Sequence, residues 1–261
     1  MTSDTRDRLQ QAFVLHRRDY SDTSLLLEVL TAAHGRLPLV AKGAKRPRAP
    51  GAALLQPFTP VFLAWSGRGE VRTLRRVEPA GRPVALSGDA LYCGFYVNEL
   101  LMRLLGRQDP HEVLFVFYQA VLEELAAGTD LGSALRRFEL RMLAELGYQA
   151  VLDREANGLA PVRPDRIYVY SGEQGLVPSV ASGSDGAISG ETLRRLVAGE
   201  PLRGQHAREA RTLTRRLLAP HLGERPLRSR ALFKARRATG TTRAELVAEP
   251  ADVYSVAPPS P

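Results

Sequence analysis

The sequence predicts an α+β fold in which a five-stranded N-terminal barrel precedes a mainly α-helical C-terminal domain with a small inserted β-hairpin. Three observations predict it: short apolar runs separated by turn residues up to Val77, helical periodicity beyond Pro83, and a lapse of that periodicity near residues 151–184. A chain of 261 residues with 44% hydrophobic and 25% charged residues can bury such cores. We therefore predict domains at 1–80 and 81–261.

The first domain contains five predicted strands and no helical pattern between them. The strands are predicted at 12–16, 23–31, 36–41, 54–65 and 71–77. Turn residues such as His34-Gly35 and the glycines at 67 and 69 separate them. This pattern favours a small closed barrel over a βαβ unit, and the five-stranded OB fold is the preferred form.

The second domain begins with three consecutive predicted helices. Ser87 precedes a helix at 89–105, Asp109 and Pro110 are placed at the N-cap and first position of the next, and Asp130 or Ser133 begins the third. Gly128 and Gly147 are the predicted terminators of the second and third helices. Three successive helices indicate a bundle.

The remaining chain alternates between sheet and helix. Strands are predicted at 167–170 and 175–180, inside an insertion at about 150–186. Helices are predicted from Ser189 to Gly199, at 208–218 and, as a final basic helix, at 226–237, with a disordered tail at 250–261.

Net charge points to a polyanionic partner. The chain carries a formal charge of +8, with 36 basic and 28 acidic residues and a pI of about 10.0. The excess is concentrated in two segments: residues 1–80 hold 13 basic and 7 acidic residues, and residues 226–240 hold 5 basic and no acidic residues. Because the middle of the chain is nearly neutral, this clustering favours a nucleic-acid surface over a general bias toward arginine.

Several other classes find no support in the sequence. One cysteine, Cys93, allows neither an internal disulfide nor a thiolate zinc cage, and the five histidines lack ligand spacing. No nucleotide-binding glycine motif occurs, and no apolar run is long enough to span a membrane. We therefore expect a cytoplasmic protein with no cofactor, no metal and no enzymatic activity.

The predicted nucleic-acid surface centres on the loop 42–51, which holds four cations between two predicted strands. Arginines of the last hairpin extend the same surface, and Tyr20 is the one aromatic residue predicted to stack on a base. Other barrel aromatics, such as Phe58 and Trp65, are predicted to lie in the core. The full predicted set is Arg17, Tyr20, Arg36, Lys42, Lys45, Arg46, Arg48, Arg72 and Arg76. A nuclear import signal or a merely soluble loop is the alternative interpretation of the same charges.

The third helix carries a second candidate site. Arg136, Arg137 and Arg141 lie about one turn apart beside Leu140, a pattern that suits a short acidic peptide ending in an apolar residue. The structural alternative is pairing of these arginines with Glu139 and Glu145 of the same helix.

Longer segments of the chain resemble the RecO family of bacterial recombination mediators. The N-terminal segments are A-F-V-L-H-R-R-D-Y-S-D at 12–22 and H-G-R-L-P-L-V-A-K-G-A-K-R-P-R at 34–48. F-Y-V-N-E-L-L at 95–101, A-L-R-R-F-E-L-R-M-L-A-E-L-G-Y at 134–148 and P-L-R-S-R-A-L-F at 226–233 extend the resemblance over nearly the whole chain.

The resemblance implies a DNA repair function in the RecFOR pathway. It implies binding of single- and double-stranded DNA, annealing of complementary strands, capture of the C-terminal tail of the single-strand binding protein SSB, and loading of RecA together with RecR. The helix-three residues Arg136, Arg137, Leu140 and Arg141 would bind the SSB tail. A protein of this kind is expected to be a monomer in isolation and to associate with the nucleoid on DNA.

One departure concerns zinc. Some family members carry a four-cysteine zinc module at the position of residues 152–182, where this chain has no cysteine. The chain therefore resembles the zinc-free branch, and its hairpin is expected to be held by packing alone. Two other classes stay open on the residues themselves: an RNA-binding OB protein of translation or RNA processing, and a hydrolase whose carboxylates carry no recognisable motif.

Overall fold

A computed structural model describes residues 8–232 except 157, 159, 173 and 180–185. Its strands are β1 (Gln10–Asp19), β2 (Leu25–Thr31), β3 (Gly35–Ala41), β4 (Pro60–Ser66), β5 (Arg72–Pro79), β6 (Ile167–Ser171), β7 (Gly175–Ser179) and β8 (Ala187–Ser189). Its helices are α1 (Gly88–Leu104), α2 (Glu112–Ala127), α3 (Leu131–Glu145), α4 (Gly190–Ala198) and α5 (Gly204–Leu222). The chain divides into two compact units: one runs to Phe115 and resumes at Pro226, and the other is Val116–Arg225.

The first five strands form a closed barrel in the order β1-β2-β3-β5-β4. All pairs are antiparallel except β3 with β5, and β1 closes the barrel by pairing with both β2 and β4. This confirms the five-stranded OB-type barrel followed by helices. The barrel ends at Pro79, whereas the compact unit that contains it extends to Phe115.

Alternate residues of each strand fill the barrel. On β2 the side chains of Leu27 and Val29 are fully buried, as are Leu37 and Leu39 on β3. Neighbouring residues on a strand point to opposite faces, so this period of two gives the barrel one continuous apolar interior. Each such buried leucine contributes about 2 kcal/mol relative to an exposed one.

Two irregularities in the register alter this alternation. β1 pairs Val14 with Val29 and then His16 with Glu28, which leaves Leu15 as an extra residue. β5 pairs Leu74 with Trp65 and Arg76 with Ala64, which leaves Arg75 as an extra residue. A β-bulge of this kind redirects the side chains on either side of it.

The three predicted bundle helices are present, with one wrong boundary. Asp130 is the N-cap of α3, where its carboxylate accepts a hydrogen bond from the Ser133 amide, and Gly128 and Gly147 adopt left-handed backbone angles as predicted. The predicted start of the second helix at Asp109 and Pro110 is wrong, because α2 begins at Glu112. The carbonyl of His111 accepts the first bond, from the amide of Phe115.

The insertion forms a three-stranded sheet in the order β7-β6-β8. The predicted hairpin is confirmed, and β8 is an additional strand. Tyr168 is fully buried, and its hydroxyl accepts a hydrogen bond from the Arg163 amide at 2.9 Å and donates one to Glu155 at 3.3 Å. Backbone pairing of the strands, buried side chains and these two hydrogen bonds therefore hold this sheet together.

The last helices agree with the prediction in type and differ in length. Ser189 caps α4 through the Thr192 amide, and Gly199 ends α4 in a left-handed conformation. The predicted span 208–218 is too short, because α5 runs from Gly204 to Leu222 and includes Pro220 in its last turn. A proline there removes one backbone donor at the end of the helix.

After Arg225 the chain returns to the compact unit that contains the barrel, called the barrel unit below. It does so in a helical segment that is described from 228 to 232. Its N-terminus rests on the buried carboxylate of Glu99 in α1, which accepts hydrogen bonds from the amides of Arg228 and Ser229 at 2.8 and 2.9 Å. The rest of the predicted helix 226–237 and the predicted tail 250–261 lie outside the described residues.

Candidate nucleic-acid interface

A groove of about 520 Å³ lies between the 42–51 loop and strand β5. Its lining includes five cations from these two segments: Lys42, Arg46, Arg48, Arg75 and Arg76. Among the described residues that line it, no acidic side chain occurs. The structure thus brings together four of the cations that the sequence predicted, with Arg75 as a fifth that the predicted set left out.

The loop closes onto β5 because of its glycines. Gly51 has φ +72, and a Cβ atom at this position would lie 2.4 Å from a methyl group of Val77. Consecutive turns bring the chain there, with the Arg46 amide bonded to the Gly43 carbonyl and the Ala49 amide bonded to the Arg46 carbonyl. Only a residue without a side chain allows this approach, which forms one wall of the groove.

Arg48 adopts a left-handed backbone conformation, with φ +59. Arginine pays a steric cost in this region because its Cβ crowds the following carbonyl oxygen. The surrounding turns hold the residue there, and its side chain lines the groove and is exposed.

Strand β5 supplies two adjacent arginines to the same groove. In a regular strand the adjacent residues Arg75 and Arg76 would lie on opposite faces. The bulge at Arg75 removes that alternation, and both residues line the groove. Arg75 bonds to the Ser66 hydroxyl at 2.6 Å, whereas Arg76 contacts Glu78 and keeps 64% of its side chain exposed.

Lys45 lies in the loop but is bound to the β1–β2 turn. Its ammonium group contacts the Asp19 carboxylate at 2.5 Å and the Ser21 carbonyl at 3.4 Å, and its amide bonds to the Thr23 carbonyl at 3.0 Å. It is not among the groove-lining residues. The geometry therefore does not support Lys45 as a direct phosphate ligand.

Arg36 occupies a structural position. Its guanidinium donates two hydrogen bonds to the Leu105 carbonyl at 3.2 and 3.0 Å and one to Glu28 at 3.1 Å, and 14% of its side chain is exposed. Burial lowers the pKa of Arg36, and Glu28 opposes that shift. The segment after α1 covers this end of β3, since the Gln108 amide bonds to the Arg36 carbonyl. A phosphate has little access to Arg36.

The two remaining predicted arginines lie outside the groove. Arg72 donates a hydrogen bond to the Gln108 side chain at 2.6 Å and is half-buried on β5. Arg17 is half-buried on β1, opposite Leu27. Neither lines the groove.

The aromatic residues are placed mostly as predicted. Tyr20 is 61% exposed in the β1–β2 turn, whereas Phe58 and Trp65 are buried in the barrel unit. Phe62 is less buried than these two, with 36% of its surface exposed on β4. Tyr20 is therefore the most exposed aromatic side chain of the barrel among the described residues, and it remains the candidate for base stacking.

The two histidines of the barrel, His16 and His34, are neutral at ordinary pH. Burial, with help from Arg18 and Arg17, lowers the pKa of His16 from 6.5 to about 4. Burial and the charge of Arg72 also lower the pKa of His34. The positive charge of the barrel thus comes from arginine and lysine alone, and it does not vary near neutral pH.

The second predicted site, on α3, is only partly exposed. Arg136 is buried and paired with Glu139 in the same helix, as the structural alternative predicted. Arg137 forms an ion pair with Glu124 of α2, with 38% of its side chain exposed. Arg141 is exposed and lies over the Phe117 ring at 5.3 Å, while Leu140 is half-buried. The accessible part of this surface is formed by Arg137, Leu140 and Arg141.

Residues 152–182 contain no cysteine, so this segment lacks the thiolate ligands of a zinc module. The single cysteine, Cys93, is buried in α1, far along the chain from the insertion. In the described part of the chain, no group of three or more potential ligands is arranged to hold a metal ion. No described helix is both long and apolar enough to cross a membrane.

Comparison with known proteins covers most of the chain. The family model "Recombination protein O N terminal" matches residues 6–82, and "Recombination protein O C terminal" matches residues 85–231. The chain belongs to the RecO family. Relatives named DNA repair protein RecO are 48% identical in Methylococcus capsulatus and 45% identical in Nitrosospira multiformis.

These relatives cover almost the same length of chain. Each alignment spans 88% of this chain, and it covers 95% of the Methylococcus protein and 96% of the Nitrosospira protein. A third relative, from Laribacter hongkongensis, is 46% identical over 86% of this chain and 93% of its own. Membership of the RecO family indicates a role in DNA repair and recombination.

Proposed function

We propose that this RecO-family protein is a recombination mediator that binds single- and double-stranded DNA, anneals complementary strands and acts on strands coated with SSB. One observation carries the proposal: a loop and a bulged strand gather five cations along one groove of the barrel. Phosphate groups along a nucleic-acid backbone are the natural ligands of such a surface.

The groove supplies binding energy without covalent chemistry. Each phosphate that a lysine or arginine neutralises releases condensed counterions, so the affinity for a strand falls as salt rises. Lys42 and Arg46 are exposed on the loop side, and Arg76 is largely exposed on the strand side. A strand that lies between the two sides contacts cations along both of its edges.

Annealing follows from the same charge. Two complementary strands repel each other through their phosphates, and this repulsion decays over about 10 Å at 0.1 M salt. A protein that neutralises part of one backbone lowers the cost of bringing in the second. Its role is therefore one of positioning and charge screening, with no bond made or broken by the protein.

The α3 surface is the proposed site for the SSB tail. Arg137 and Arg141 are one turn apart, and Leu140 with the ring of Phe117 provides an apolar contact beside them. A short acidic peptide with an apolar end suits this combination, since its carboxylates replace Glu124 as the partner of Arg137. Arg136 is buried and paired with Glu139, so it takes no part in binding the tail.

The partners RecR and RecA, binding of duplex DNA and a cytoplasmic location rest on family membership. The relatives are named DNA repair protein RecO, and that name supports a place in recombination. In this scheme the protein clears or bypasses SSB, and RecA is loaded afterwards with RecR. The protein is a monomer before it meets DNA.

Annealing of labelled complementary strands, bare or coated with SSB, separates the two sites. We expect Lys42→Glu/Arg46→Glu to slow annealing of bare and coated strands alike, because it reverses charge in the groove. Arg141→Glu is expected to slow annealing only with SSB present. The matched control is Arg154→Glu/Arg163→Glu, which changes the same charge at exposed positions in the insertion.

Three outcomes would contradict this proposal. Equal loss from the groove and α3 variants in both assays would show that the two surfaces are not separate sites. A strong preference for RNA over DNA would favour a role in translation or RNA processing. Metal-dependent cutting of the strands would indicate a hydrolase.

A further inference from the structure

The β1–β2 turn and the cationic loop are joined through one side chain. The Lys45 ammonium group contacts Asp19 at 2.5 Å and the Ser21 carbonyl at 3.4 Å, so it binds the residues on both sides of Tyr20. Its backbone amide bonds to the Thr23 carbonyl at 3.0 Å in the same turn. Three contacts from one residue therefore fix the turn to the loop.

Lys45 is in turn flanked by residues of the groove. Ala44 and Arg46 both line it, whereas Lys45 does not. Tyr20 lies between the two turn residues that Lys45 contacts, so its backbone is held beside the loop that forms one side of the groove, although Tyr20 is not itself among the groove-lining residues. It is 61% exposed, and its amide bonds to the Ser24 carbonyl within the turn.

We infer that Lys45 is a positioning residue, which holds Tyr20 beside the loop of the cationic groove as a platform for a base while the neighbouring cations bind phosphates. This inference rests on the proposed function. It gives Lys45 and its partner Asp19, an anion, an indirect role in base binding through the position of Tyr20.

The role of Asp19 separates this inference from simple electrostatics. Removal of an anion beside a cationic groove raises the local positive charge and should tighten binding of any polyanion. If Asp19 instead holds Lys45 and hence Tyr20 in place, its removal weakens the base-dependent part of the affinity. Simple electrostatics and the positioning role therefore predict opposite changes in affinity for oligonucleotides when Asp19 is replaced by the isosteric asparagine.

The test compares an oligothymidylate strand with an abasic strand of equal length, each labelled with fluorescein. Tyr20→Ala is expected to weaken binding of oligothymidylate by about fivefold or more, the range for loss of one stacked base, and to leave the abasic strand unaffected. Asp19→Asn is expected to weaken oligothymidylate binding by about two- to fivefold, which matches the worth of an exposed ion pair.

Four further variants address position and charge. Asp19→Asn/Tyr20→Ala should bind oligothymidylate as Tyr20→Ala does, because both changes remove the same contact. Lys45→Arg should keep the wild-type ratio between the two strands. Lys45→Gln should leave the salt dependence of binding to the abasic strand unchanged. Lys42→Gln, at an exposed lysine of the same loop, should reduce the magnitude of the slope of log K against log salt by about 0.7.

Tighter binding of both strands by Asp19→Asn, by a common factor, would overturn the inference and leave the proposed function intact. Losses that multiply in the double variant would also overturn it. If the wild-type protein binds neither strand in a salt-dependent way, the proposed function fails and the inference fails with it.

Discussion

Replacement of Glu99 by glutamine tests how the C-terminal segment is held on the barrel unit. One carboxylate oxygen accepts bonds from the Ser229 amide at 2.9 Å and the Ser229 hydroxyl at 2.6 Å, and the other accepts from the Arg228 amide at 2.8 Å. The side chain of Glu99 is buried at the N-terminus of this helical segment, where a negative charge is favoured.

Glu99→Gln keeps the shape but has only one acceptor oxygen. The NH₂ group of the glutamine is a donor, and it would face at least one backbone N–H that the carboxylate now accepts from. At least one charge-assisted hydrogen bond is therefore lost, and the remaining ones weaken to the strength of neutral hydrogen bonds. We expect a loss of about 2–3 kcal/mol in the free energy of unfolding. At this chain length that corresponds to a fall in Tm of roughly 5–10 °C.

Thermal unfolding and hydrogen exchange together measure this effect. Exchange at the Ser229 amide should accelerate first, because the helical segment detaches before the barrel opens. Glu123→Gln is the matched control, since it makes the same chemical change at an exposed position of α2. Equal Tm values for the two variants, with unchanged exchange at Ser229, would refute the reasoning.

Three further predictions concern the barrel unit. Because the pKa of His16 falls from 6.5 to about 4 on folding, protonation of His16 should contribute about 3 kcal/mol to the stability that the wild-type protein loses as pH falls from 6.5 to 4, and His16→Gln should lose less in urea titrations across that range. Arg36→Gln should destabilise the fold through its buried contacts with Glu28 and leave the salt dependence of DNA binding unchanged; a flatter slope would make Arg36 a phosphate ligand. Gly51→Ala should unfold at least about 1 kcal/mol more easily than Gly43→Ala. Both glycines have positive φ, but an added Cβ would lie 2.4 Å from Val77 at Gly51 and in ordinary contact, 3.7 Å from Arg46, at Gly43; equal urea midpoints would contradict this.

Local chemistry made most of the fold predictable from sequence. Short apolar runs between turn residues identified all five barrel strands, although the fourth was predicted from 54 and begins at Pro60. Cap residues such as Asp130 and Ser189 and terminators such as Gly147 identified helix ends. These signals lie within a few residues of the structure that they specify. The start of α2 was missed because Asp109 and Pro110 form a local cap signal that the chain does not use.

The candidate site was less predictable because it depends on contacts between distant segments. The 42–51 loop was identified from its charge, but Arg75 joined the groove only through a bulge. Arg36 and Lys45 look like free cations in the sequence, yet Leu105 and Asp19 bind them in the fold. Arginine pattern alone does not distinguish a ligand of phosphate from a cation that holds its own chain together.

The most direct test of the cationic groove is the salt dependence of single-strand binding. With five cations in the groove, the plot of log K against log salt should have a slope of about −3.5, at about 0.7 for each neutralised phosphate. Lys42→Gln/Arg46→Gln should reduce its magnitude by about 1.4. A flat wild-type slope, or a double variant with the wild-type slope, would show that the groove does not bind the strand.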